Sequence, residues 1–593
     1  MNIEKDLRQD IVKAFKTVFD HTLEWSDLQL QPTRKDFEGS HTLVVFPYLK
    51  ISKKGPEQTG QLIGEWLKES SPLIEDFNVV KGFLNFVLTD KVWLRGLDEI
   101  HQEEHYGKAP ENGRKVMVEY SSPNTNKPLH LGHLRNNFIG YSVSEILKAC
   151  GYEVMKVQII NDRGIHICKS MVAYQKFGNG ETPDSSGIKG DHLIGKYYVK
   201  FDQEYKKEIE HLCGQGKDTE TAKKQAPILL EAQDTLKKWE AGDQPTVDLW
   251  KKMNSWVYDG FNSTYKAMGV DFDKFYYESD TYLLGKNIID AGLEKKVFYR
   301  NDDGSVWVDL EDAGLDKKLL LRSDGTAVYM TQDLGTANMR HDDYPFEKSI
   351  YVVGNEQDYH FKVLFTILKK MGMEYADGLY HLSYGMVDLP TGKMKSREGT
   401  VVDADDLMRE MEEKAAEKTA DLGKIDGFSE AQAQGLYHTL GLGALKYFLL
   451  KVDPKKRMLF NPEESVEFQG NTGPFIQYTH ARISAILRRS HELNIQPVDF
   501  NESTLADEER ELIRVLIQYP DKVTEAGETY SPSIIAQYVY DLAKEYNRFY
   551  TELPIFGDHD ARTTYLRVVL STMVARVLKN GLALLGIEAP ERM

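Results

Sequence analysis

The sequence predicts an α/β protein: a doubly wound parallel sheet in the central part, an α+β domain before it and an all-α bundle after it. Three observations support this prediction. An apolar run at 116–118 is followed by a polar loop and then by apolar residues at helical spacing until Gly151, a favourable residue for ending a helix. A second β-like run occupies 154–160, and strand, helix, strand is the repeating unit of a doubly wound sheet. Beyond about residue 405 the apolar spacing is helical.

Composition bounds the size and the surroundings of the protein. A chain of 593 residues exceeds one hydrophobic core, so three or four domains are expected. Three cysteines, Cys150, Cys168 and Cys213, indicate a reducing compartment without a disulfide framework. With no apolar signal core at the start and no apolar run of membrane-spanning length, we expect a cytoplasmic protein without a membrane partner. The net charge of −18 argues against indiscriminate binding to nucleic acid, although local basic patches can bind a specific one.

The polar loop after the first predicted strand carries the first candidate site. It ends with His130, Gly132 and His133, which the spacing places in the first turn of the following helix. Unpaired N–H groups at a helix start bind phosphate, Gly132 lets a base or sugar approach the backbone, and two imidazoles can donate to a triphosphate. By itself an H-x-x-H pair more often marks unrelated surface histidines, or sometimes a metal pair. No third His or Cys stands nearby to complete a zinc site, and the proline-punctuated loop favours a nucleotide.

A second basic element lies downstream, at Lys393-Met-Lys-Ser-Arg-Glu-Gly-Thr400. Its cations can neutralise charge on a departing pyrophosphate, although a lysine-rich loop by itself is usually only solvent-exposed. The chain contains neither a G-x-G-x-x-G nor a Walker A sequence. Binding of a nicotinamide dinucleotide and P-loop ATP chemistry therefore have no support.

These two elements lie about 260 residues apart and resemble the "HIGH" and "KMSKS" motifs of class I aminoacyl-tRNA synthetases. The segment Glu119-Tyr-Ser-Ser-Pro-Asn124 resembles the arginyl form of the first motif. The resemblance implies a Rossmann-like catalytic domain that activates arginine with ATP and Mg²⁺ and transfers it to the 3′-terminal ribose of its tRNA. It also implies that tRNA binds before arginine is activated, and that the protein holds no zinc.

The resemblance further implies the residues of the ATP site. The downstream loop departs from the family pattern, because Ser396 stands where the catalytic lysine is expected. Lys127, just before the first motif, occupies the position thought to compensate. The implied catalytic residues are Lys127, His130, His133 and Lys393. The implied ATP contacts are Pro128, Gly132, Gly354, His360, Met386, Val387, Lys395, Ser396 and Arg397.

Arginine as the cargo calls for a pocket of acceptors, because a guanidinium offers five N–H donors in a fixed fork. Asp333 is the expected guanidinium partner, and Glu119 is the expected partner of the α-ammonium or of a nearby donor. Tyr329 and Asp333 are four residues apart and share one face if this segment is helical. Asp333 by itself would be a helix-surface carboxylate, and only the joint spacing favours the pocket. The residues that the resemblance assigns to the pocket are Glu119, Ser122, Asn124, Tyr329, Asp333 and Gln357.

Four domains are predicted along the chain. Residues 1–105 form an α+β domain that contacts the tRNA D-loop by resemblance, with a docking or dimerisation module as an open alternative. Residues 111–405 form the catalytic domain, with a helical insertion at about 180–275 whose charge runs favour solvated helix faces over contact with the tRNA acceptor end. Residues 406–454 connect it to an all-helical anticodon-binding domain at 455–593.

Aromatic residues of the last domain are candidates for stacking on anticodon bases, with Arg482 as a contact to phosphate or base. Aromatics at helical spacing are more often core residues than platforms for bases. The candidates are Phe475, Arg482, Tyr546, Tyr550 and Met593.

Three alternatives stay open on the sequence alone. The first is a class I synthetase for another amino acid, such as lysine or glutamine. The second is a nucleotidyltransferase that adenylates a small metabolite, although such enzymes are short and lack the helical C-terminal domain. The third is a catalytically inactive tRNA-binding paralogue, against which the intact His130, His133, Lys127 and Asp333 argue. We expect a monomer.

Overall fold

The computed structural model describes residues 3–34, 36–390, 402–421 and 427–593, and its first part combines helices with an antiparallel sheet. The strands are Leu30–Pro32 (β1), His41–Val44 (β2), Ile74–Val80 (β3) and Phe83–Leu88 (β4), in the spatial order β1-β2-β4-β3. The helices are Ile3–Phe19 (α1), Leu49–Ser52 (α2), Pro56–Ser70 (α3) and Asp90–Gln102 (α4). Ile11 and Phe15, one turn apart on α1, are both fully buried, so the helix contributes one apolar face to this core.

The central part is built on a parallel sheet. The strands of this sheet are Lys115–Glu119 (β5), Glu153–Ile160 (β6), Lys274–Tyr277 (β7), Lys348–Gly354 (β11) and Leu379–Tyr384 (β12). A separate, small antiparallel sheet consists of Phe298–Arg300 (β8), Val306–Val308 (β9) and Lys318–Leu321 (β10). The parallel strands follow the order β12-β11-β5-β6-β7. The predicted α/β class with a parallel sheet is therefore confirmed. The sequence did not predict the small antiparallel sheet.

Strand β5 lies in the middle of the parallel sheet. Val116, Met117 and Val118 are fully buried, and their alternation places Val116 and Val118 in one hydrophobic cluster and Met117 in the other. Because both faces of the sheet are covered, every position of the strand can be apolar. The chain continues from β5 to β6 on one side, while β11 lies on the other. A ligand crevice is therefore expected at the carboxyl ends of β5 and β11.

The chain between β6 and β7 is largely helical and is tied to the sheet at Asp162. The Asp162 carboxylate accepts hydrogen bonds from the Ser279 N–H and the Tyr258 hydroxyl, and its carbonyl accepts from the Trp250 and Asn254 side chains. This connection fixes the carboxyl ends of β6 and β7 against the insertion. The helices of the central part are Leu131–Ala149 (α5), Ile165–Phe177 (α6), Pro183–Ser186 (α7), Gly190–Gly214 (α8), Thr219–Gln225 (α9), Pro227–Glu240 (α10), Gln244–Met268 (α11), Glu278–Thr281 (α12), Gly285–Glu294 (α13), Tyr329–Asp343 (α14) and Asp358–Lys370 (α15).

The last part is helical apart from two short strands, Val387–Asp388 (β13) and Met458–Leu459 (β14). Its helices are Ala404–Asp421 (α16), Glu430–Leu450 (α17), Pro462–Ser465 (α18), Gly473–Glu492 (α19), Asp507–Ile517 (α20), Tyr519–Thr529 (α21), Pro532–Glu552 (α22) and Ala561–Leu584 (α23). This bundle reaches α5 through the Ser142 hydroxyl, which donates to the Leu584 carbonyl at 2.7 Å. It reaches the first domain through Arg510, which pairs with Asp90 at 2.6 Å. Among the described residues no helix is long and apolar enough to cross a membrane.

Candidate active site

The start of α5 brings the two histidines of the first motif together at the crevice. His130 is the N-cap, one residue before the helix, and not part of the first turn as the spacing predicted. Its Nδ1 accepts from the Gly132 N–H at 3.1 Å, and Nδ1 of His133 accepts from the His130 N–H at 3.2 Å. Since both Nδ1 atoms are acceptors, the ring protons lie on Nε2, where they can be donated to a ligand. The ring centroids are 4.0 Å apart.

Burial keeps both imidazoles neutral. Desolvation, together with the nearby charge of Lys127, lowers the pKa of His130 to about 4. Burial also lowers the pKa of His133 well below its usual range. The two rings therefore act near neutral pH as hydrogen-bond donors without a charge of their own. The positive charge of this site comes from Lys127, whose pKa burial lowers only in part, and from the helix N-terminus.

Glycine at position 132 is required by the local structure, in addition to allowing a ligand to approach the backbone. A Cβ atom at this position would lie 2.9 Å from Cε1 of His130, closer than real Cβ contacts allow. A larger residue would therefore push the His130 ring off the helix N-terminus. The capping arrangement itself requires glycine here.

The predicted arginine pocket lies across the crevice, on the first two turns of α14. Tyr329 opens this helix and is 77% exposed, and Asp333 follows one turn later. Oδ2 of Asp333 lies 2.7 Å from Nε2 of His360, a residue that the sequence assigned to the ATP side. Gln357 and Asn124 are exposed, so their amides are accessible to a ligand. The shared helix face of Tyr329 and Asp333 is thus as the spacing predicted.

Glu119, at the end of β5, already has two internal partners. Its carboxylate pairs with Arg340, which is 2% exposed, and accepts from the Ser122 hydroxyl at 2.9 Å. Ser122 has a positive φ of 47°, a backbone conformation that turns the loop sharply after the strand. A cavity of about 70 Å³ lies beneath, lined in part by Asp333 and Arg340. Sequence reasoning missed Arg340 because nothing local marks it as the partner of a residue 221 positions earlier.

Glu278 is an acidic residue near the predicted pocket that sequence reasoning missed. It is the first residue of α12, directly after β7, and therefore at the same carboxyl edge of the sheet. Burial raises the pKa of its carboxyl to about 7, Arg163 opposes this shift, and the charges of Asp162 and Asp333 add to it. Two carboxylates that sense each other across a partly buried crevice suit a cationic ligand. An acidic residue at the end of the β-like run 274–277 was the signal available in the sequence.

Comparison with known proteins covers both halves of the chain. Residues 97–461 match the family described as "tRNA synthetases class I (R), catalytic domain", and residues 476–593 match the "DALR anticodon binding domain". The chain is 58% identical over 596 residues to "Arginine--tRNA ligase" of Amoebophilus asiaticus and 54% identical over 600 residues to that of Parabacteroides distasonis, with complete coverage of each chain. Its structure matches that of the Thermus thermophilus arginyl-tRNA synthetase with a TM-score of 0.80 and 26% identity, over all of both chains.

The chain belongs to the class I arginyl-tRNA synthetases. This confirms the resemblance drawn from the two motifs, and a class I synthetase for another amino acid is not favoured. The structure of the Plasmodium falciparum arginyl-tRNA synthetase supports the fold alone, with a TM-score of 0.76 at 20% identity over 100% of this chain and 99% of that one.

The remaining ATP-site candidates of this synthetase fall into three groups. Pro128, next to Lys127, and Gly354, the last residue of β11, lie at the crevice. The Val387 side chain is buried in β13, so Val387 can contribute only backbone groups. The Met386 carbonyl accepts from the Met458 N–H, and the Met386 side chain is partly exposed. The candidates Lys393, Lys395, Ser396 and Arg397 lie outside the described residues.

Arg135, two residues after His133, holds the segment that precedes β13 against helix α5. Its guanidinium is fully buried and donates to the Gly385 carbonyl at 2.6 Å and to carbonyls within 453–456 at 2.9 to 3.4 Å. Burial lowers its pKa to about 10, so it stays charged at neutral pH. One side chain thus connects the histidine-bearing helix to two separate loops of the synthetase.

The anticodon candidates of the DALR part have different positions. Tyr546 is fully buried and hydrogen-bonded to the Ser571 hydroxyl at 3.0 Å, so its ring belongs to the core and cannot stack on a base. It lies on the face of α22 that packs against α23. Tyr550, one turn further, is 39% exposed and lies 5.5 Å from the Arg482 guanidinium. Phe475 is half-buried against Tyr540.

Met593, the last anticodon candidate, does not lie at an open surface. It is partly buried and packs against Ala415, Leu436 and Leu440, which belong to helices α16 and α17. Among the five candidates Tyr550 is the exposed one, and the partly buried Arg482 lies beside its ring.

Replacing Arg135 by Met should destabilise the catalytic part, because several buried carbonyls lose their donor. We expect a loss of about 2–5 kcal/mol in the free energy of unfolding, measured by urea denaturation. Arg95→Met is the matched control, since Arg95 is exposed and pairs only with Glu99 of its own helix. Equal losses in the two variants would contradict the role assigned to Arg135.

Proposed function

We propose that this chain is an arginine–tRNA ligase that joins arginine to ATP as arginyl-adenylate, with release of pyrophosphate, and then transfers arginine to the 3′-terminal ribose of its tRNA. The observation that carries the proposal is the composition of one crevice at the carboxyl edge of the parallel sheet. One side offers the neutral donors His130 and His133 at a helix N-terminus, and the other offers the carboxylates of Asp333 and Glu278. The first side suits a triphosphate and the second suits a guanidinium.

The reaction needs alignment and charge stabilisation more than covalent help. The arginine carboxylate attacks the α-phosphate of ATP, the bond to pyrophosphate breaks, and Nε2–H groups of His130 and His133 donate to phosphate oxygens on which charge grows. Lys127 supplies a fixed positive charge beside them. Mg²⁺ enters with the ATP phosphates as part of the substrate and neutralises charge on the leaving pyrophosphate. We assign Lys393 the same task, with Lys395 and Arg397 in reserve.

The arginine pocket places each end of the amino acid against different groups. Asp333, held by His360, and Glu278 take the guanidinium, and the exposed Tyr329 flanks its plane. Asn124, Ser122 and Gln357 take the α-ammonium and carboxylate. Glu119 was expected to bind the α-ammonium, but its pairing with Arg340 leaves it the task of shaping the pocket floor. A pocket of such acceptors rejects amino acids that leave them unpaired.

The proposal assigns the other parts of the chain to tRNA. Residues 455–593 bind the anticodon through Tyr550 and Arg482, residues 1–105 contact the D-loop, and the insertion at 180–275 stays with the catalytic domain at 111–405. Residues 406–454 connect the two functional halves. We further propose that the enzyme works as a cytoplasmic monomer.

ATP–pyrophosphate exchange tests the function directly. Each standard amino acid is supplied with and without total tRNA, and exchange is expected only with arginine and only when tRNA is present. Exchange with a different amino acid would leave the fold intact but overturn the pocket assignment. Binding of tRNA without any exchange would favour an inactive paralogue.

Arginine binding should strengthen as the pH rises through about 7. A guanidinium favours the charged form of Glu278, so arginine binds the deprotonated enzyme better and releases a proton on binding. Below pH 7 the apparent Kd should rise about tenfold per pH unit, as one proton competes with one ligand. Calorimetry in buffers of different ionisation enthalpy measures both quantities.

Glu278→Gln should flatten this pH profile and weaken arginine binding at pH 8. Asp280→Asn is the matched control, because Asp280 is exposed on the same short helix. A profile in Glu278→Gln as steep as in the wild type would assign the titration to another group.

Lys127→Ala should slow adenylate formation by about 100-fold, because a preorganised charge beside the phosphates is lost. Single-turnover activation in the presence of tRNA measures this rate. Lys91→Ala, a change at an exposed lysine of the first domain, should leave the rate unchanged. Near-normal activation by Lys127→Ala would show that Lys127 does not replace the lysine missing from the downstream loop.

A further inference from the structure

The first residues of the insertion helix α8 lie against an acidic cluster at the start of α16. Lys189, just before α8, donates to the Asp405 carboxylate and lies 3.3 Å from the Asp191 carboxylate. Nε2 of His192 lies 3.2 Å from Asp405 and 3.3 Å from Asp403. Lys189 and His192 thus contact three carboxylates. Asp191 belongs to α8 itself, whereas Asp403 and Asp405 lie just before and within α16.

The acidic side of this cluster continues directly into the first motif. Residues 402–404 pair with residues 129–131 in antiparallel fashion, with backbone hydrogen bonds of 3.0 and 3.1 Å on either side of His130. Oδ1 of Asp403 in turn accepts from the N–H groups of Asp405 and Asp406 at 2.9 and 3.1 Å. Asp403 therefore makes the segment opposite His130 continuous with the start of α16. A displacement of Asp405 is transmitted to the backbone that holds the His130 ring.

A second contact joins the same helix to the other catalytic group. Gly195 of α8 lies so near the loop that a Cβ atom there would be 3.0 Å from Cδ of Pro128 and 3.8 Å from Cα of Lys127. Helix α8 thus contacts the first motif at two places, at Lys127–Pro128 directly and at His130 through residues 402–405. Neither contact involves the arginine-pocket residues on α14.

A metal ion is not needed to balance this cluster. The possible ligand atoms of Asp191, His192 and Asp405 lie within 4.8 Å of one another, a spacing that would suit a small cation. The ammonium group of Lys189 already lies between Asp191 and Asp405, and it also donates to the Thr264 hydroxyl. Because Asp191 is fully buried, its carboxylate requires a nearby positive charge, which Lys189 supplies.

We propose that Lys189 and Asp405 form a positioning pair through which the insertion holds the His130 side of the ATP site in its active geometry. The inference rests on the proposed function, since it concerns the activation step. Neither residue touches ATP in this assignment. Their effect passes through the backbone of 402–404, and small displacements of an aligned donor cost a large part of the rate.

The test is a double-mutant cycle in tRNA-saturated ATP–pyrophosphate exchange. Lys189→Met and Asp405→Asn should each lower kcat about tenfold, with the KM for arginine and the Kd for tRNA changed less than about twofold. The double variant should be no slower than the slower single variant, because both changes break the same contact. Lys189→Arg keeps the charge and should restore most of the rate.

Asp406→Asn is the matched control. Asp406 adjoins Asp405 in α16, and its carboxylate is exposed and, within the part of the chain that the structure describes, accepts only from Arg409 of the same helix turn. Its exchange rate should equal that of the wild type. If Lys189→Met does not fold, Asp405→Asn measured against Asp406→Asn carries the test, since Asp191 then keeps its lysine.

Three results would overturn the positioning role. Losses that multiply in the double variant would show that the two residues act independently. A defect of Asp405→Asn that saturating tRNA abolishes would place the insertion in tRNA binding instead. Equal activity of Asp405→Asn and Asp406→Asn would show no role in activation. A wild-type chain without exchange under any condition would instead refute the proposed function.

Discussion

The active site depends on the burial of most of one helix, α5. It carries apolar residues such as Leu134 and Phe138 into the core, but also three consecutive polar residues, Arg135, Asn136 and Asn137, that are buried as well. These polar residues are hydrogen-bonded to other parts of the chain: Asn136 accepts from the Ser121 N–H and donates to the Val352 carbonyl, and Asn137 donates to the Ser121 hydroxyl. Without such partners, each buried polar group would cost about 1–3 kcal/mol. Their partners therefore fix the helix N-terminus, and with it His130 and His133, relative to β5 and β11.

Desolvation acts in opposite directions on the two sides of the crevice. On the side proposed for ATP it lowers the pKa of the imidazoles, so His130 and His133 are oriented neutral donors. On the side proposed for arginine it raises the pKa of Glu278, so that a bound cation would favour release of its proton. The same physical cause, loss of water around an ionisable group, thus prepares one side for an anion and the other for a cation. The sheet brings the two sides together because parallel strands end at a common edge.

Local patterns predicted much of this arrangement. The apolar run 116–118 and the β-like run 154–160 correspond to Lys115–Glu119 and Glu153–Ile160, because a strand buried on both faces is marked by its own composition. Tyr329 and Asp333 share a helix face because their four-residue spacing is itself the helical repeat. Tyr546 and Tyr550 have that same spacing and their rings stack on one face, yet only Tyr546 is fully buried, because Tyr550 lies in the last turn of α22. Glu278, Arg340 and Lys189 escaped detection because their partners are distant in sequence.

The sequence by itself determined the family, the order of the two motifs, the parallel sheet and the cargo. Short sequence segments suffice to predict these features, because the residue types in each segment are informative without knowledge of the tertiary structure. Only the tertiary structure decided that Glu119 pairs with Arg340, that the charge of Asp333 acts on Glu278, and that helix α8 contacts the first motif. Charges, pKa values and access depend on which distant groups exclude water from a side chain, and that exclusion exists only once the chain has folded.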